Sequence, residues 1–143
     1  MALPRDVEGS YSVILFYRGA WCPYCCAQLA AFSRARESLS SIGVAVVALS
    51  VDDEATTKSL VDKLQLRFPI GFGAKADDIA AATGAYITDA HLQSTGFVLD
   101  RSGRILTAVY SSGAIGRLVP DDVAGLVRYV ERHAANALAE VRR

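Results

Sequence analysis

Two cysteines separated by two residues, directly after a short apolar strand, constrain this sequence more than any other feature. Residues 12–17 (SVILFY) are apolar and partly β-branched or aromatic, which predicts a buried strand. Cys22, Pro23 and Cys25 follow within a few residues. Because proline is tolerated in the first turn of a helix, and because apolar residues then recur every three or four positions as far as Leu39, we predict that a helix begins at Cys22.

The rest of the chain predicts a mixed α/β arrangement. Residues 44–50 (VAVVALS) form a second buried strand followed by a helix, whereas residues 65–93 give only a short extended piece and a short helix. Residues 95–99 and 104–110 flank a polar loop with glycine, which is typical of a hairpin, and a long helix opens at Pro120. Since a strand–helix–strand unit has parallel strands, the hairpin must extend the same sheet in antiparallel fashion, with helices on both faces.

The composition is that of one packed domain without a bulk charge for a partner to recognise. The chain has 143 residues, of which 52% are hydrophobic and 21% charged, so we predict a single domain over residues 1–143. Fifteen basic residues balance fifteen acidic ones, which argues against nucleic acid or anionic lipid as a partner. No apolar run approaches the about 20 residues of a membrane-spanning helix, and residues 1–10 do not resemble a signal peptide. We therefore expect a cytoplasmic protein.

Cys22 is predicted to be an accessible nucleophile at the start of its helix. The unpaired N–H groups and the positive end of the helix dipole stabilise a thiolate there, which lowers the pKa of a cysteine. Arg18, four residues upstream, adds positive charge. Cys25 is close enough to close a disulfide with Cys22 as the resolving thiol. Cys26 lies a full helical turn away, too far for a relaxed disulfide, and is expected to be a small buried hydrophobe.

The segment from Phe16 to Cys25 (FYRGAWCPYC) resembles peroxiredoxin-like proteins of the AhpC/TSA (alkyl hydroperoxide reductase/thiol-specific antioxidant) family. Its Cys-Pro-Tyr-Cys tetrapeptide is also typical of glutaredoxins, and residues 96–105 (GFVLDRSGRI) are similar to a hairpin of the AhpC/TSA family. The resemblance covers roughly residues 12–130. It implies a thioredoxin fold with a central mixed β-sheet of about four to five strands. It also implies an antioxidant, thiol-based redox enzyme without a cofactor, with catalytic roles for Cys22 and Cys25.

The sequence departs from the family's peroxidatic pattern, Pro-x-x-x-Thr/Ser-x-x-Cys. Counting back from Cys22 gives Leu15 and Gly19, so the hydroxyl that would polarise a peroxide is missing from its place. The family's second arginine aligns near Ser94. There is also no distant cysteine, so the two-subunit disulfide of typical two-cysteine peroxiredoxins cannot form.

Two redox functions therefore stay open, and the sequence favours the first. In a thiol–disulfide oxidoreductase, the Cys22 thiolate attacks a substrate disulfide and Cys25 releases the product. In a peroxiredoxin-type thiol peroxidase, Cys22 attacks the O–O bond and becomes a sulfenic acid, with which Cys25 condenses. The expected partners are a disulfide or hydroperoxide substrate and a thiol reductant, either a thioredoxin-like protein or a low-molecular-weight thiol. The protein itself is expected to be a monomer or a homodimer.

A non-enzymatic alternative is a copper-binding or redox-gated binding module. Cys22 and Cys26 have Cys-x-x-x-Cys spacing, soft thiolates suit Cu(I), and His91 lies in a loop that approaches the cysteines in this fold. Outside this alternative, no metal site is predicted. The thiolate-stabilising or substrate-facing residues are predicted to be Arg18, Trp21, Pro23, Ser94 and Thr95, the last two through backbone groups that pair with a disulfide substrate.

Overall fold

The computed structural model describes the backbone of residues 10–141 and the side chains of residues 10–134. The predicted domain of residues 1–143 also includes residues 1–9 and 142–143, which lie outside the described residues. In chain order the elements are β1 (Tyr11–Phe16), α1 (Pro23–Arg34), α2 (Arg36–Ser41), β2 (Val44–Leu49), α3 (Glu54–Leu64), β3 (Ile70–Gly71), α4 (Ala76–Thr83), β4 (Ile87–Thr88), β5 (His91–Leu92), β6 (Thr95–Leu99), β7 (Ile105–Tyr110) and α5 (Pro120–Val141). Within residues 10–141, no helix is both long and apolar enough to cross a membrane.

A five-stranded mixed sheet runs through the centre in the order β3-β2-β1-β6-β7. β1, β2 and β3 are parallel, whereas β6 pairs with β1 and β7 in antiparallel fashion. All six residues of β1 are buried because both faces of this central strand are covered. On one face Val13 and Leu15 pack with α1, α3 and α5, and on the other Ile14 and Phe16 pack with α4. The predicted mixed sheet with helices on both faces is therefore confirmed.

The helix that was predicted to continue to Leu39 is divided into α1 and α2 at Ala35, where the backbone has φ −88° and ψ 1°. The hydroxyl of Ser33 donates to the carbonyl of Gln65 at 3.2 Å and accepts from the backbone N–H of Arg67 at 3.0 Å. These contacts join the last turn of α1 to the segment after α3. They are long-range contacts, so the helical spacing of apolar residues could not reveal them.

A small hairpin of β4 and β5 was not predicted in the segment before β6. Thr88 pairs with His91 across a two-residue loop of Asp89 and Ala90, whose φ angles are 52° and 63°. Two positive φ angles are those of a type I′ turn, which most often carries Asn-Gly or Asp-Gly. Because alanine occupies the place of glycine here, the usual sequence signal for such a turn is absent.

One edge of the sheet collects the ends of four strands. Phe16 at the end of β1 is level with Leu49 at the end of β2, and also with Thr95 at the start of β6. Thr95 in turn pairs with Tyr110 at the end of β7. The loops after β1, β2 and β7 and the segment before β6 therefore meet at this edge, although they are far apart in the chain.

We predict that α1 contributes to stability mainly through its apolar contacts with the sheet. Leu29 lies on the buried face of α1, and Leu29→Ala should lower the free energy of unfolding by about 2–5 kcal/mol. Ile105 on β7 is 61% exposed, so Ile105→Ala removes the same number of carbon atoms at a cost of only about 0.5 kcal/mol. Urea unfolding of both variants measures the difference. Equal losses would contradict the assigned core.

Candidate active site

Cys22 is the N-cap residue of α1, as the sequence predicts, and Pro23 occupies the first helical turn. The Cys22 sulfur accepts a hydrogen bond from the backbone N–H of Cys25 at 3.3 Å. This is the position at which free N–H groups and the helix dipole stabilise an anion. The prediction of an accessible sulfur, however, is wrong: Cys22 is fully buried. Polar groups, rather than aliphatic ones alone, line its surroundings.

Two guanidinium groups reach the Cys22 sulfur. Nη1 of Arg18 lies 3.8 Å from Sγ, and Nη2 of Arg117 lies 3.7 Å from it. Arg18 follows β1 and was predicted to stabilise the thiolate, whereas Arg117 lies in the loop after β7 and was not predicted. Both Nε atoms are buried, and neither has an acceptor among the residues that the structure describes. Each of the two guanidinium groups that contact the sulfur therefore keeps one buried N–H donor without a partner.

Arg117 is held in place by three further acceptors. Its Nη1 donates to the hydroxyl of Ser94 at 2.7 Å and to Oε1 of Gln28 at 3.2 Å, and its Nη2 donates to the carbonyl of Ala114 at 3.0 Å. The family's second arginine was expected near Ser94 and judged to be missing. Here the Ser94 hydroxyl instead accepts a hydrogen bond from a guanidinium that comes from the loop after β7.

A signal for Arg117 exists in the sequence, although spacing from the cysteines does not provide it. Arg117 is the only charged residue between Tyr110 and Asp121, in the loop SSGAIGRLVP. The loop is held by its own contacts, with the Ser111 hydroxyl donating to the carbonyl of Gly116. Once the strand order places this loop beside the cysteines, its single charged residue points to Arg117 as part of the site.

The two motif cysteines have opposite acid–base properties. Burial alone would raise the pKa of the Cys22 thiol. Hydrogen bonds from the Cys25 side chain and backbone outweigh this effect, together with the charge of Arg117 and a hydrogen bond from Arg18, so the pKa of Cys22 is lowered. Burial and the hydrogen bond to Cys22 raise the pKa of Cys25 to about 11. Cys22 is therefore the more acidic of the two thiols, and Cys25 is the one that holds its proton.

Aromatic side chains form the outer rim of the site. Trp21 is 52% exposed, and its ring lies 4.6 Å from the Arg18 guanidinium carbon and 5.0 Å from the His91 ring. Gly19 has a φ of +156°, and a Cβ on it would overlap the Trp21 indole. Trp21 therefore packs against the backbone beside the cysteines, and with the exposed Tyr24 it borders the site.

Cys26 and His91 do not form a metal site with Cys22. Cys26 is half-buried rather than buried as predicted, and its thiol donates to the carbonyl of Ala20 at 3.4 Å. His91 is exposed on β5, and its ring packs against Trp21 at an interplanar angle of 47°. Among the described residues, no group of three His, Cys, Asp or Glu side chains is placed to hold a metal ion. The structure therefore gives the copper alternative no support.

The predicted backbone role of Ser94 and Thr95 does not fit the structure. The carbonyl of Ser94 accepts from the N–H of Ser111 at 3.0 Å, and Thr95 pairs with Phe16 on one side and Tyr110 on the other. Both residues are buried. Because the Ser94 carbonyl and the strand pairing of Thr95 are already in use, the contribution that the structure shows for Ser94 is its hydroxyl, which accepts from Arg117.

Comparisons with known proteins agree with this geometry. A family model described as AhpC/TSA family matches residues 3–108. The chain is similar to a peroxiredoxin of Treponema denticola, with 23% identity over 97% of this chain and 69% of the relative. Its structure is similar to Mycobacterium tuberculosis AhpC, with a TM-score of 0.76 and 20% identity over 90% of this chain and 73% of that chain.

The structure is also similar to a secreted M. tuberculosis disulfide oxidoreductase that is homologous to Escherichia coli DsbE. The TM-score is 0.66 at 21% identity, over 87% of this chain and 85% of that chain. Both structural likenesses confirm the predicted thioredoxin fold.

We predict that Arg117 keeps Cys22 ionised. In the reduced protein, alkylation of Cys22 by iodoacetamide should follow the thiolate fraction, falling about tenfold per pH unit below the lowered Cys22 pKa. Arg117→Met removes a favourable charge, so the midpoint should move to higher pH. Arg128 is exposed on α5, and Arg128→Met is the matched control. Tandem mass spectrometry locates the label. An unchanged midpoint in Arg117→Met would refute this role.

Proposed function

The chain belongs to the AhpC/TSA family and is a thiol-dependent oxidoreductase, and we propose that it acts as a thiol peroxidase whose peroxidatic residue is Cys22. The observation that carries this proposal is the convergence of the Arg18 and Arg117 guanidiniums on the Cys22 sulfur. Preorganised cations next to a reacting atom stabilise the charge that develops when an O–O bond breaks. The two unpaired Nε–H groups can donate hydrogen bonds to the oxygens of a hydroperoxide.

The burial of Cys22 favours a hydroperoxide over a protein disulfide as the oxidant. A hydroperoxide group presents two small oxygen atoms, whereas a disulfide carries two bulky chains that must pass the rim of Trp21 and Tyr24. In the first step the Cys22 thiolate attacks the terminal oxygen of the hydroperoxide, which carries the hydrogen, and the O–O bond breaks. The leaving alkoxide takes a proton from the medium, so the products are an alcohol and the Cys22 sulfenic acid.

Cys25 completes the cycle as the resolving residue. Its sulfur attacks the Cys22 sulfenic acid, the S–O bond breaks, and water leaves with the proton of the Cys25 thiol, which forms a Cys22–Cys25 disulfide. An external dithiol or two low-molecular-weight thiols then reduce the disulfide. Because Cys25 lies in the first turn of the helix that Cys22 caps, the two sulfurs meet without a second subunit.

Thiol–disulfide exchange is the second candidate function. It is favoured by the Cys-x-x-Cys pair at a helix N-terminus and by the exposed Trp21 and Tyr24, which offer a surface to a larger substrate. In this reaction Cys22 forms a mixed disulfide with the substrate and Cys25 releases it. The same residues would act in both functions, so the relative rates with the two oxidants decide between them.

The partners and location follow from the same proposal. The substrate is a hydroperoxide and the electron donor a thiol, either a thioredoxin-like protein or a small thiol. A cytoplasmic location suits the three free cysteines, which a reducing compartment maintains. The protein acts as a monomer, or as a homodimer through β7, the outermost strand of the sheet, on which Ile105 and Tyr110 are exposed.

We expect reduced protein to react with hydrogen peroxide far faster than free cysteine, and faster than with a model disulfide at equal concentration. Arg117→Met should lower the peroxide rate by about 10²–10³-fold because it removes one preorganised donor. Quenched-flow mass spectrometry measures both reactions. A peroxide rate no higher than that of a free thiolate would exclude the peroxidase function and leave disulfide exchange.

We also expect single substitutions to distinguish the roles of Cys22 and Cys25. Cys22→Ser should abolish turnover, whereas Cys25→Ser should stop after the first step and accumulate a sulfenic acid that dimedone traps. Cys26→Ser makes the same thiol-to-hydroxyl change one residue further on, and it should still form the Cys22–Cys25 disulfide. Peptide mapping after peroxide treatment distinguishes these products. Turnover in Cys22→Ser would overturn the assignment.

A further inference from the structure

Gln28 is a buried polar residue of α1, and both polar atoms of its side-chain amide form hydrogen bonds with the loop after β7. Its Nε2 donates to the carbonyl of Leu118 at 3.0 Å, and its Oε1 accepts from Nη1 of Arg117 at 3.2 Å. One side chain therefore binds two consecutive residues of a loop that lies about ninety positions away in the chain. Such a pair of contacts fixes the backbone and the side chain of the loop together.

These contacts determine where the arginine points. A guanidinium is planar and rigid, so fixing one of its terminal nitrogens directs the other. Gln28 and Ser94 both accept from Nη1 of Arg117, and Nη2 is then directed at the Cys22 sulfur. Cys22 caps the same helix that carries Gln28. The sulfur and the side chain that binds its cation are therefore positioned by the same helix.

We propose that Gln28 is a positioning residue that holds the guanidinium of Arg117 against the Cys22 sulfur. Gln28 does not touch the sulfur and acts only through the arginine. The consequence for hydroperoxide reduction rests on the function proposed above, whereas the contact between the arginine and the thiolate does not depend on the oxidant.

A purely structural role for Gln28 is the alternative, because its bond to Leu118 also fastens the loop to the helix. Ser33 provides the comparison within the same helix. Its buried hydroxyl also makes two long-range hydrogen bonds, donating to the carbonyl of Gln65 and accepting from the backbone N–H of Arg67. It joins α1 to a different segment and does not contact Arg117. Ser33→Ala therefore imitates the loss of stability without the loss of positioning.

The first experiment compares Gln28→Leu with Ser33→Ala in the otherwise unchanged protein. We expect Gln28→Leu to shift the titration of the Cys22 thiolate, followed by its ultraviolet absorbance, to higher pH, and to slow the reaction with hydrogen peroxide about tenfold. Ser33→Ala should lower the midpoint of thermal unfolding but leave both quantities unchanged. Gln28→Met, which keeps the length of the side chain, serves as a second variant and should behave as Gln28→Leu does.

The second experiment repeats Gln28→Leu in the Arg117→Met background. If Gln28 acts through the arginine, the substitution should have little further effect on the Cys22 titration once the arginine is gone. An equal shift in both backgrounds, or no shift in the wild-type background, would overturn the proposal. The titration involves no oxidant, so it remains decisive if hydrogen peroxide proves to be a poor substrate. A slow peroxide reaction with an intact coupling would count against the proposed function alone.

Discussion

The negative charge on the Cys22 sulfur is the feature on which the rest of the site depends. A buried charge costs several kcal/mol unless hydrogen bonds and opposite charges offset the loss of water. Here the first turn of α1 supplies a backbone N–H, and Arg18 and Arg117 supply two cations. The site is therefore built to hold an anion, and this property also suits it to redox chemistry, since the donors that stabilise a thiolate also stabilise charge on the oxygen that leaves when an O–O bond breaks.

The topology of the sheet makes this convergence possible. Parallel strands β1 and β2 end at one edge, and the antiparallel order of β6 and β7 brings the start of one and the end of the other to the same edge. Donors can therefore come from segments far apart in the chain. This explains how a guanidinium can serve the cysteine from the loop after β7 when the position before β6 carries only Ser94.

The parts of the molecule that local chemistry determines were predictable from the sequence. The buried strands, Pro23 in the first helical turn and the lowered pKa of the Cys22 thiol follow from short-range spacing and the helix dipole. The parts that depend on distant contacts were not predictable. Arg117 could be assigned only once the strand order placed its loop beside α1, and the burial of Cys22 results from side chains that only the folded chain brings together.

Trp21 gives the site a property that is independent of any substrate. It is the only tryptophan of the chain, and its ring contacts the Arg18 guanidinium and the His91 imidazole, one residue from the reactive cysteine. All indole emission of the protein therefore originates at this position. When Cys22 loses its charge on forming a disulfide, Arg18 loses its anionic partner while still in contact with the indole. We therefore expect the oxidation state of the dithiol to change the emission of an intrinsic fluorophore, so that fluorescence can follow it without an attached dye.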